Sequence, residues 1–272
     1  MERVIHTLPE RDPVMGVTSL DNRLYVLRGE KSAEQIEVYN IDSYYFLHCL
    51  TVPGLGVEFG GGADIVACGH NHCAYISNCS HNSVHRVALS DGASTEWPVS
   101  DDPVCLSVTY RHSVLVSCSE VFKVKEFSTD GQLLNVLTLP DNMSPSHAIQ
   151  LSSGQIIACL SNYDHSLHRV CVTGPDGSVL KSFEGSGSQQ MNGPVQMAID
   201  RNGFVFVVDV NKNRVLLLSP QLTYVREVVS RKQLKWGPVR LHLDCDKGRL
   251  YIADNEFEWG NYITGRVVVY DI

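Results

Sequence analysis

A sequence unit of roughly 45 residues recurs six times along this chain, and this repetition limits what the chain can fold into. Each copy has a short apolar run, a polar loop, a second alternating run and usually a turn pair such as Asp91-Gly92 or Asp130-Gly131. Alternation with period two between Asp-Gly turns is typical of antiparallel hairpins. The first apolar runs begin at about Arg23, Cys73, Ser113, Gln155, Phe204 and Arg249. No amphipathic run of about 11 residues or more interrupts them, which favours an all-β fold.

The last copy has a second strand at residues 249 to 254 (RLYIAD) and a third at 265 to 270 (GRVVVY), with no fourth strand after them. Residues 3 to 8 (RVIHTL) precede the first copy and fit this gap. A ring of sheets whose two ends share one blade pairs the edges of both terminal strands. We therefore predict one domain over residues 1 to 272, a six-bladed β-propeller of four-stranded antiparallel blades closed by residues 3 to 8.

Several copies resemble the NHL repeat, in which an aliphatic-aromatic strand ends in Asp and is followed by a loop with Asn and then Arg-Val. The matching segments are LYIADN (250 to 255), VFVVDVNKNRV (205 to 215) and AYISNCSHNSVHRV (74 to 87). We expect the related pentapeptides SVHRV (83 to 87) and SLHRV (166 to 170) to occupy equivalent places. Blade 1 departs from the pattern, with Arg28 in place of the Asp and Gln35-Ile36 in place of Arg-Val.

The resemblance to the NHL propellers of tripartite-motif ubiquitin ligases and related proteins implies a module that binds either RNA or a protein partner. The chain has 22 Lys and Arg against 30 Asp and Glu, a net charge of -8, whereas nucleic-acid binding usually leaves a basic footprint. We therefore favour a non-catalytic module that binds a protein or peptide, and we expect a monomer without a cofactor.

Aromatic residues favour a partner site on the rim that carries the loops before each innermost strand and those between second and third strands. The segment NEFEWGNYITG (255 to 265), which we predict to be a loop, contains Phe257, Trp259 and Tyr262. Such residues supply the anchors of many interfaces. Tyr163 and Asn211 lie in the corresponding loops of blades 4 and 5, and we include them in the predicted partner site.

Two alternatives use other residues. Binding of RNA would use a local basic patch with an aromatic side chain for base stacking, formed by Lys212, Arg214, Arg231, Lys232, Lys235 and Trp236. A metal-dependent hydrolase or lyase would use polar side chains at the starts of the innermost strands, namely His147, Asp64 and Arg240. These are of unlike types, whereas metal sites need convergent ligands.

Cysteine and histidine also cluster at one tight turn, with Cys68, His70, His72 and Cys73 as weak candidates for a zinc site. Ordinary turn histidines and packed thiols explain the same residues. Nine cysteines and the lack of a signal-peptide pattern favour reduced thiols and a cytoplasmic location. No apolar stretch is long enough to span a bilayer, so we expect no membrane association.

Overall fold

A computed structural model describes residues 2–29, 35–56, 62–139, 143–162, 164, 166–258 and 261–272. Within these residues the chain forms six four-stranded antiparallel sheets, arranged as the blades of a propeller. The fold predicted from the repeats is therefore confirmed.

The strands of the first three blades, from the innermost outward, follow chain order. Blade 1 contains β2 (Val14–Leu20), β3 (Arg23–Arg28), β4 (Gln35–Asn40) and β5 (Phe46–Thr51). Blade 2 contains β6 (Ala63–Cys68), β7 (Cys73–Asn78), β8 (Ser83–Ala88) and β9 (Ser94–Pro98). Blade 3 contains β10 (Pro103–Val108), β11 (Val114–Cys118), β12 (Lys123–Phe127) and β13 (Leu133–Thr138).

The remaining blades follow the same order until the ring closes. Blade 4 contains β14 (Ser144–Gln150), β15 (Ile156–Ser161), β16 (His168–Thr173) and β17 (Val179–Phe183). Blade 5 contains β18 (Pro194–Ile199), β19 (Val205–Asp209), β20 (Arg214–Leu218) and β21 (Tyr224–Val229). Blade 6 contains β22 (Gly237–Asp244), β23 (Arg249–Glu258), β24 (Asn261–Asp271) and β1 (Arg3–Thr7).

Ring closure occurs where the sequence predicts it. Strand β1 (Arg3–Thr7) pairs antiparallel with β24 (Asn261–Asp271), with Arg3 opposite Asp271 and Thr7 opposite Val268. The backbone N–H of Leu8 donates to the carbonyl of Val267 and continues the pairing. The start of the chain thus covers the edge that the third strand of blade 6 would otherwise expose.

Blade packing explains why the middle strands lack simple alternation. Six clusters of buried apolar side chains fill the six junctions between neighbouring blades. A middle strand is covered on both faces, so all residues of β19 (Val205–Asp209) are buried. The outer strand β13 (Leu133–Thr138) is exposed except at Leu137. Apolar runs therefore mark the middle strands of each blade.

Two sequence expectations need correction. Residues 255 to 258 and 261 to 265 extend the two strands, because Glu256 pairs with Thr264 and Phe257 pairs with Tyr262. Its alternation of charged and aromatic residues suits a hairpin that projects from the blade.

The pentapeptides at 83 to 87 and 166 to 170 are not structurally equivalent. The first begins with β8 at Ser83, whereas the second begins at Ser166, ahead of the first residue of β16, His168. The connection between the second and third strands is longer in blade 4, so its pentapeptide is displaced along the third strand. Arg86 therefore lies opposite Tyr75, whereas Arg169 lies opposite Leu160.

Helical structure in the described residues is limited to short 3₁₀ turns such as Gly187–Gln189 and Val210–Lys212. None of these segments has the length and apolar character needed to cross a membrane.

Candidate functional site

A pocket of about 490 Å³ opens on the rim at the junction of blades 5 and 6, and we call it the inner pocket. Its walls come from the β19–β20 connection, the loop before β22 and the projecting hairpin of β23 and β24. The lining residues are Val210, Asn211, Asn213, Trp236, Gly237, Val239, Asn255, Glu256, Phe257, Glu258 and Tyr262. Loops before an innermost strand and between second and third strands therefore meet on one face, as the sequence predicts.

The loop that carries Trp236 is held by a buried carboxylate. Asp254 is fully buried at the end of the blade 6 second strand, and its oxygens accept hydrogen bonds from the backbone N–H groups of Lys235 (2.9 Å) and Trp236 (3.0 Å). Arg266 donates from Nε to the same carboxylate at 2.8 Å. Burial of a carboxylate is tolerated only with such partners. The Asp of the repeat thus fixes one wall of the inner pocket.

The projecting hairpin supplies the opposite wall. The ring of Phe257 meets the edge of Tyr262 at a centroid distance of 5.2 Å, and 61% of Phe257 is exposed. Tyr262 is half-buried and packs against the apolar clusters between blades 1 and 2 and between blades 6 and 1. Tyr262 therefore anchors the hairpin, and among its described residues Phe257 is the aromatic side chain that remains available to a partner.

The charged groups around the inner pocket differ in whether they have a partner. Glu256 and Glu258 flank Phe257, and neither carboxylate has a hydrogen bond or ion pair with any other described residue. The nearby cation Lys235 is already committed, because its Nζ contacts Glu10 at 2.7 Å and lies 4.2 Å from the centroid of the Trp236 ring. The pocket therefore presents acidic and aromatic groups, which together favour a cation.

Close approach of the backbone shapes the pocket wall at Gly237. A Cβ atom at this position would overlap Oδ1 of Asn213. Any larger residue at the start of β22 would therefore displace the Asn213 side chain, which lines the inner pocket.

The predicted partner residues have different outcomes. Asn211, Phe257 and Tyr262 line the inner pocket together. Trp259 and Tyr163 lie outside the described residues. Glu256 and Glu258 are not among the predicted site residues. The alternation of charged and aromatic residues in their segment is the sequence signal that identifies a strand.

Most of the predicted basic patch is used inside the protein. Arg214 is buried, bonded to Asp209 at 2.8 Å and to two backbone carbonyls, and Lys212 donates to the carbonyl of Gln190 at 2.6 Å. The ammonium group of Lys235 lies over the ring of Trp236. Arg231 and Lys232 are exposed and form no hydrogen bond or ion pair with other described residues. The patch therefore has two uncommitted cations.

The central channel contains one residue from each blade at equivalent positions, namely Gly16, Asp64, Cys105, His147, Gln196 and Arg240. A β-bulge precedes this position in every blade except blade 2. Bulges turn side chains toward the axis. The three residues of the enzyme alternative are thus brought together.

Asp64 is the centre of this network. The carboxylate accepts hydrogen bonds from the Cys105 thiol at 2.9 Å and from the Leu106 N–H at 3.0 Å. The amide of Gln196 donates to both carboxylate oxygens at 3.2 Å, and Nε of Arg240 lies 3.9 Å from Oδ1. Burial raises the pKa of the Cys105 thiol, which keeps it protonated and able to donate. The carboxylate therefore accepts hydrogen bonds from blades 3 and 5 and forms an ion pair with blade 6.

His147 is satisfied in a similar way. The N–H of Met197 donates to Nδ1 at 3.2 Å, so the proton lies on Nε2, which is 3.2 Å from the carbonyl of Leu106. Burial lowers the pKa of His147 and favours this neutral form, with nearby Asp64 acting in the opposite direction. Asp64, Cys105 and His147 have ligand atoms within 4.8 Å of one another. Their hydrogen bonds, however, serve to join neighbouring blades.

The candidate zinc ligands of the blade 2 turn diverge. Cys68 and Cys73 are buried in the apolar cluster between blades 2 and 3. His70 stacks on His112 of blade 3 at a centroid distance of 4.0 Å, whereas His72 contacts Asp21 of blade 1 at 3.1 Å. The two histidines therefore point to opposite neighbours, and this arrangement brings no four ligands to a common point.

Known structures with the same architecture have varied activities. The chain is similar to virginiamycin B lyase from Staphylococcus aureus, with a TM-score of 0.63, 15% identity and coverage of 97% of this chain and 88% of the lyase. It is also similar to the PQQ-bound aldose sugar dehydrogenase from Streptomyces coelicolor, with a TM-score of 0.69, 12% identity and coverage of 99% and 98%. Hydrazine synthase from Kuenenia stuttgartiensis matches with a TM-score of 0.65, 13% identity and coverage of 95% and 97%.

At these identities the likeness establishes the six-bladed propeller fold and nothing finer. No protein-family model matches the chain, and no curated protein matches it. The function therefore has to be argued from the site itself.

Proposed function

We propose that this protein is a non-catalytic recognition module of the NHL type that binds a peptide segment of a partner protein in the inner pocket. The single observation that carries the proposal is a concave rim pocket lined by the exposed Phe257 and by two carboxylates, Glu256 and Glu258, that have no partner among the described residues. Small sites that recognise peptides combine an aromatic anchor with a few polar groups in this way.

The NHL assignment is supported by the pairing of Asp and Arg in the two blades that match the motif best. Asp209 pairs with Arg214 in blade 5, and Asp254 pairs with Arg266 in blade 6. Blade 1 uses the reversed pair, because Arg28 lies at the Asp position and contacts Glu37 at 2.7 Å. These pairs hold the rim loops in place, so the motif supports a binding face.

Selection from a random peptide library displayed on phage tests this proposal. We expect the purified chain to enrich peptides that bind it, and Phe257→Ser to weaken a selected peptide by about tenfold or more, as is usual for an interface anchor. Fluorescence anisotropy with the labelled peptide gives the dissociation constant. Thermal unfolding of the variant should change little, because the substituted side chain is largely exposed.

Phe46→Ser is the matched control. Phe46 is 50% exposed on the outer strand of blade 1 and meets Tyr39 edge to face at 5.7 Å, much as Phe257 meets Tyr262. Its substitution should leave peptide binding unchanged. An equal loss of peptide affinity in both variants would contradict the proposed function. Failure to enrich any peptide above the level found on a support without the protein would contradict it as well.

A further inference from the structure

A second cavity of about 660 Å³ adjoins the inner pocket on the rim of blade 5, and we call it the outer pocket. Its lining residues are Asn211, Lys212, Asn213, Arg214, Glu227, Ser230, Arg231 and Lys232. Asn211 and Asn213 line both cavities. The two pockets therefore adjoin at the β19–β20 connection, and we call the surface that they form together the groove.

The outer pocket is basic, and its free charge belongs to Arg231 and Lys232. It has one carboxylate, Glu227, whose Oε2 lies 3.8 Å from Nη1 of the buried Arg214. Arg214 and Lys212 donate to backbone carbonyls of the loop before β18. Two exposed cations at consecutive positions can together hold an anionic group by charge-assisted hydrogen bonds.

The inner pocket has the opposite charge. Glu256 and Glu258 line this pocket, and neither has a partner among the described residues. An arginine or lysine side chain bound there would pair with these carboxylates by charge-assisted hydrogen bonds. The groove therefore changes from acidic to basic between its two ends.

We propose, on the basis of the proposed function, that the ligand is an extended peptide with a basic side chain in the inner pocket and an anionic side chain at Arg231 and Lys232. An extended chain advances about 3.3 Å per residue, and the pockets share a wall, so the two charges are separated by a few residues. RNA fits the groove less well, because its uniform negative charge would meet Glu256 and Glu258.

A set of short labelled peptides tests the charge order. Each has a neutral backbone sequence with one arginine and, at separations of about one to five residues in either chain direction, phosphoserine, glutamate or alanine. A matched peptide of each kind has alanine in place of the arginine. We expect one direction and separation at which phosphoserine binds about tenfold more tightly than alanine, with glutamate between them. Increased salt should reduce this gain.

Variants assign each charge to its pocket. Arg231→Ala with Lys232→Ala should abolish the gain from phosphoserine and leave the affinity of the alanine peptide unchanged. Glu256→Gln with Glu258→Gln should instead remove the preference for arginine over alanine at the basic position. Arg3→Ala is a matched control, because Arg3 is an exposed cation on the outer strand β1, and it should change neither preference.

Four outcomes would overturn the inference. If peptides bind through Phe257 without any effect of phosphoserine, or if the gain persists in the Arg231 and Lys232 double variant, the charge order is wrong and the proposed function stands. If no peptide of the set binds and library selection also fails, both are wrong. If a uridine oligonucleotide displaces a bound peptide and its own binding requires Arg231 and Lys232, the basic surface binds RNA instead.

Discussion

Single residues in this protein act mainly by joining elements that are far apart in sequence. Asn255 exchanges two hydrogen bonds with the backbone of Val14, at 3.1 Å and 2.9 Å, and so ties blade 6 to blade 1. Asp254 positions the loop of Trp236 in the same blade. In blade 1, Arg28 stands in place of the Asp and pairs with Glu37, so this blade also has an ion pair between its second and third strands. Repeat residues are therefore structural here, and they act on the site by holding its loops.

At this scale the structure also predicts a dependence of stability on pH through His242. Its Nε2 lies 2.8 Å from Oγ of Ser19 in blade 1, and burial lowers its pKa to about 4, with Asp244 and Asp64 acting in the opposite direction. The pKa of histidine in an unfolded chain is about 6.5. Because the folded state disfavours the proton, this contribution is complete above about pH 6.5 and is lost as pH falls toward about 4.

Urea unfolding at about pH 7.5 and about pH 5 measures this effect. We expect the free energy of unfolding to fall by about 2 kcal/mol between these conditions, since each unit between the two pKa values contributes up to about 1.4 kcal/mol. His242→Gln should reduce the decrease, because the substituted side chain does not titrate. An equal decrease in both proteins would assign the effect to other groups, such as His147, whose pKa burial also lowers.

At the scale of elements, the projecting hairpin contributes to the site with residues that the blade itself does not need. Strands β23 (Arg249–Glu258) and β24 (Asn261–Asp271) are longer than the other second and third strands, and their ends extend beyond the blade. Glu258 pairs with Asn261 at the end of this extension. The blade needs only the residues nearer its core, so the extension is available for recognition.

Replacing residues 257 to 263 by Asn-Gly should shorten the hairpin and keep the blade, since this dipeptide favours a two-residue turn. We expect the circular dichroism spectrum to remain that of a β protein. The unfolding midpoint should fall by a few degrees, because the deletion removes Tyr262 and its packing against the apolar clusters. Binding of the library-selected peptide should be lost. A shortened protein that binds the peptide with unchanged affinity would show that the hairpin is not part of the site.

At the scale of the molecule, stability depends on a closed ring. Each blade packs on two neighbours, and the first strand of the chain completes the last blade. Side chains of the channel reinforce this closure, since Gln196 of blade 5 donates to Asp64 of blade 2 and accepts from the N–H of Leu241 in blade 6. Closure is thus made both at the outer edge and at the axis.

A circular permutant tests whether pairing or chain continuity matters for closure. Arg3 lies opposite Asp271, so a short glycine linker can join Ile272 to Glu2, with new termini at the Asp130-Gly131 turn of blade 3. We expect this permutant to unfold at nearly the original temperature. Deletion of residues 1 to 7 from the original chain should instead lower the midpoint by about 5 °C or more, because the edge of β24 loses its partner. A deletion variant with an unchanged midpoint would contradict the role of β1 in closure.

Sequence alone determined the architecture of this protein. Period-two alternation, Asp-Gly turns and a unit of roughly 45 residues are local properties, and a ring of four-stranded blades follows from them because every middle strand must be covered on both faces. The position of the closing strand and the rim that carries Asn211, Phe257 and Tyr262 could be predicted for the same reason.

Only the tertiary structure decided how the polar side chains are used. Asp64 and Gln196 are hydrogen-bonded although they are 132 residues apart in sequence. Lys235 forms an ion pair with Glu10 across the closure of the ring. Whether a charge is free or paired depends on such distant neighbours, so the sequence could not separate Arg231 and Lys232 from the committed cations Lys212, Arg214 and Lys235. It also could not show that Glu256 and Glu258 lack partners among the described residues, because this depends on the strand register that only folding establishes.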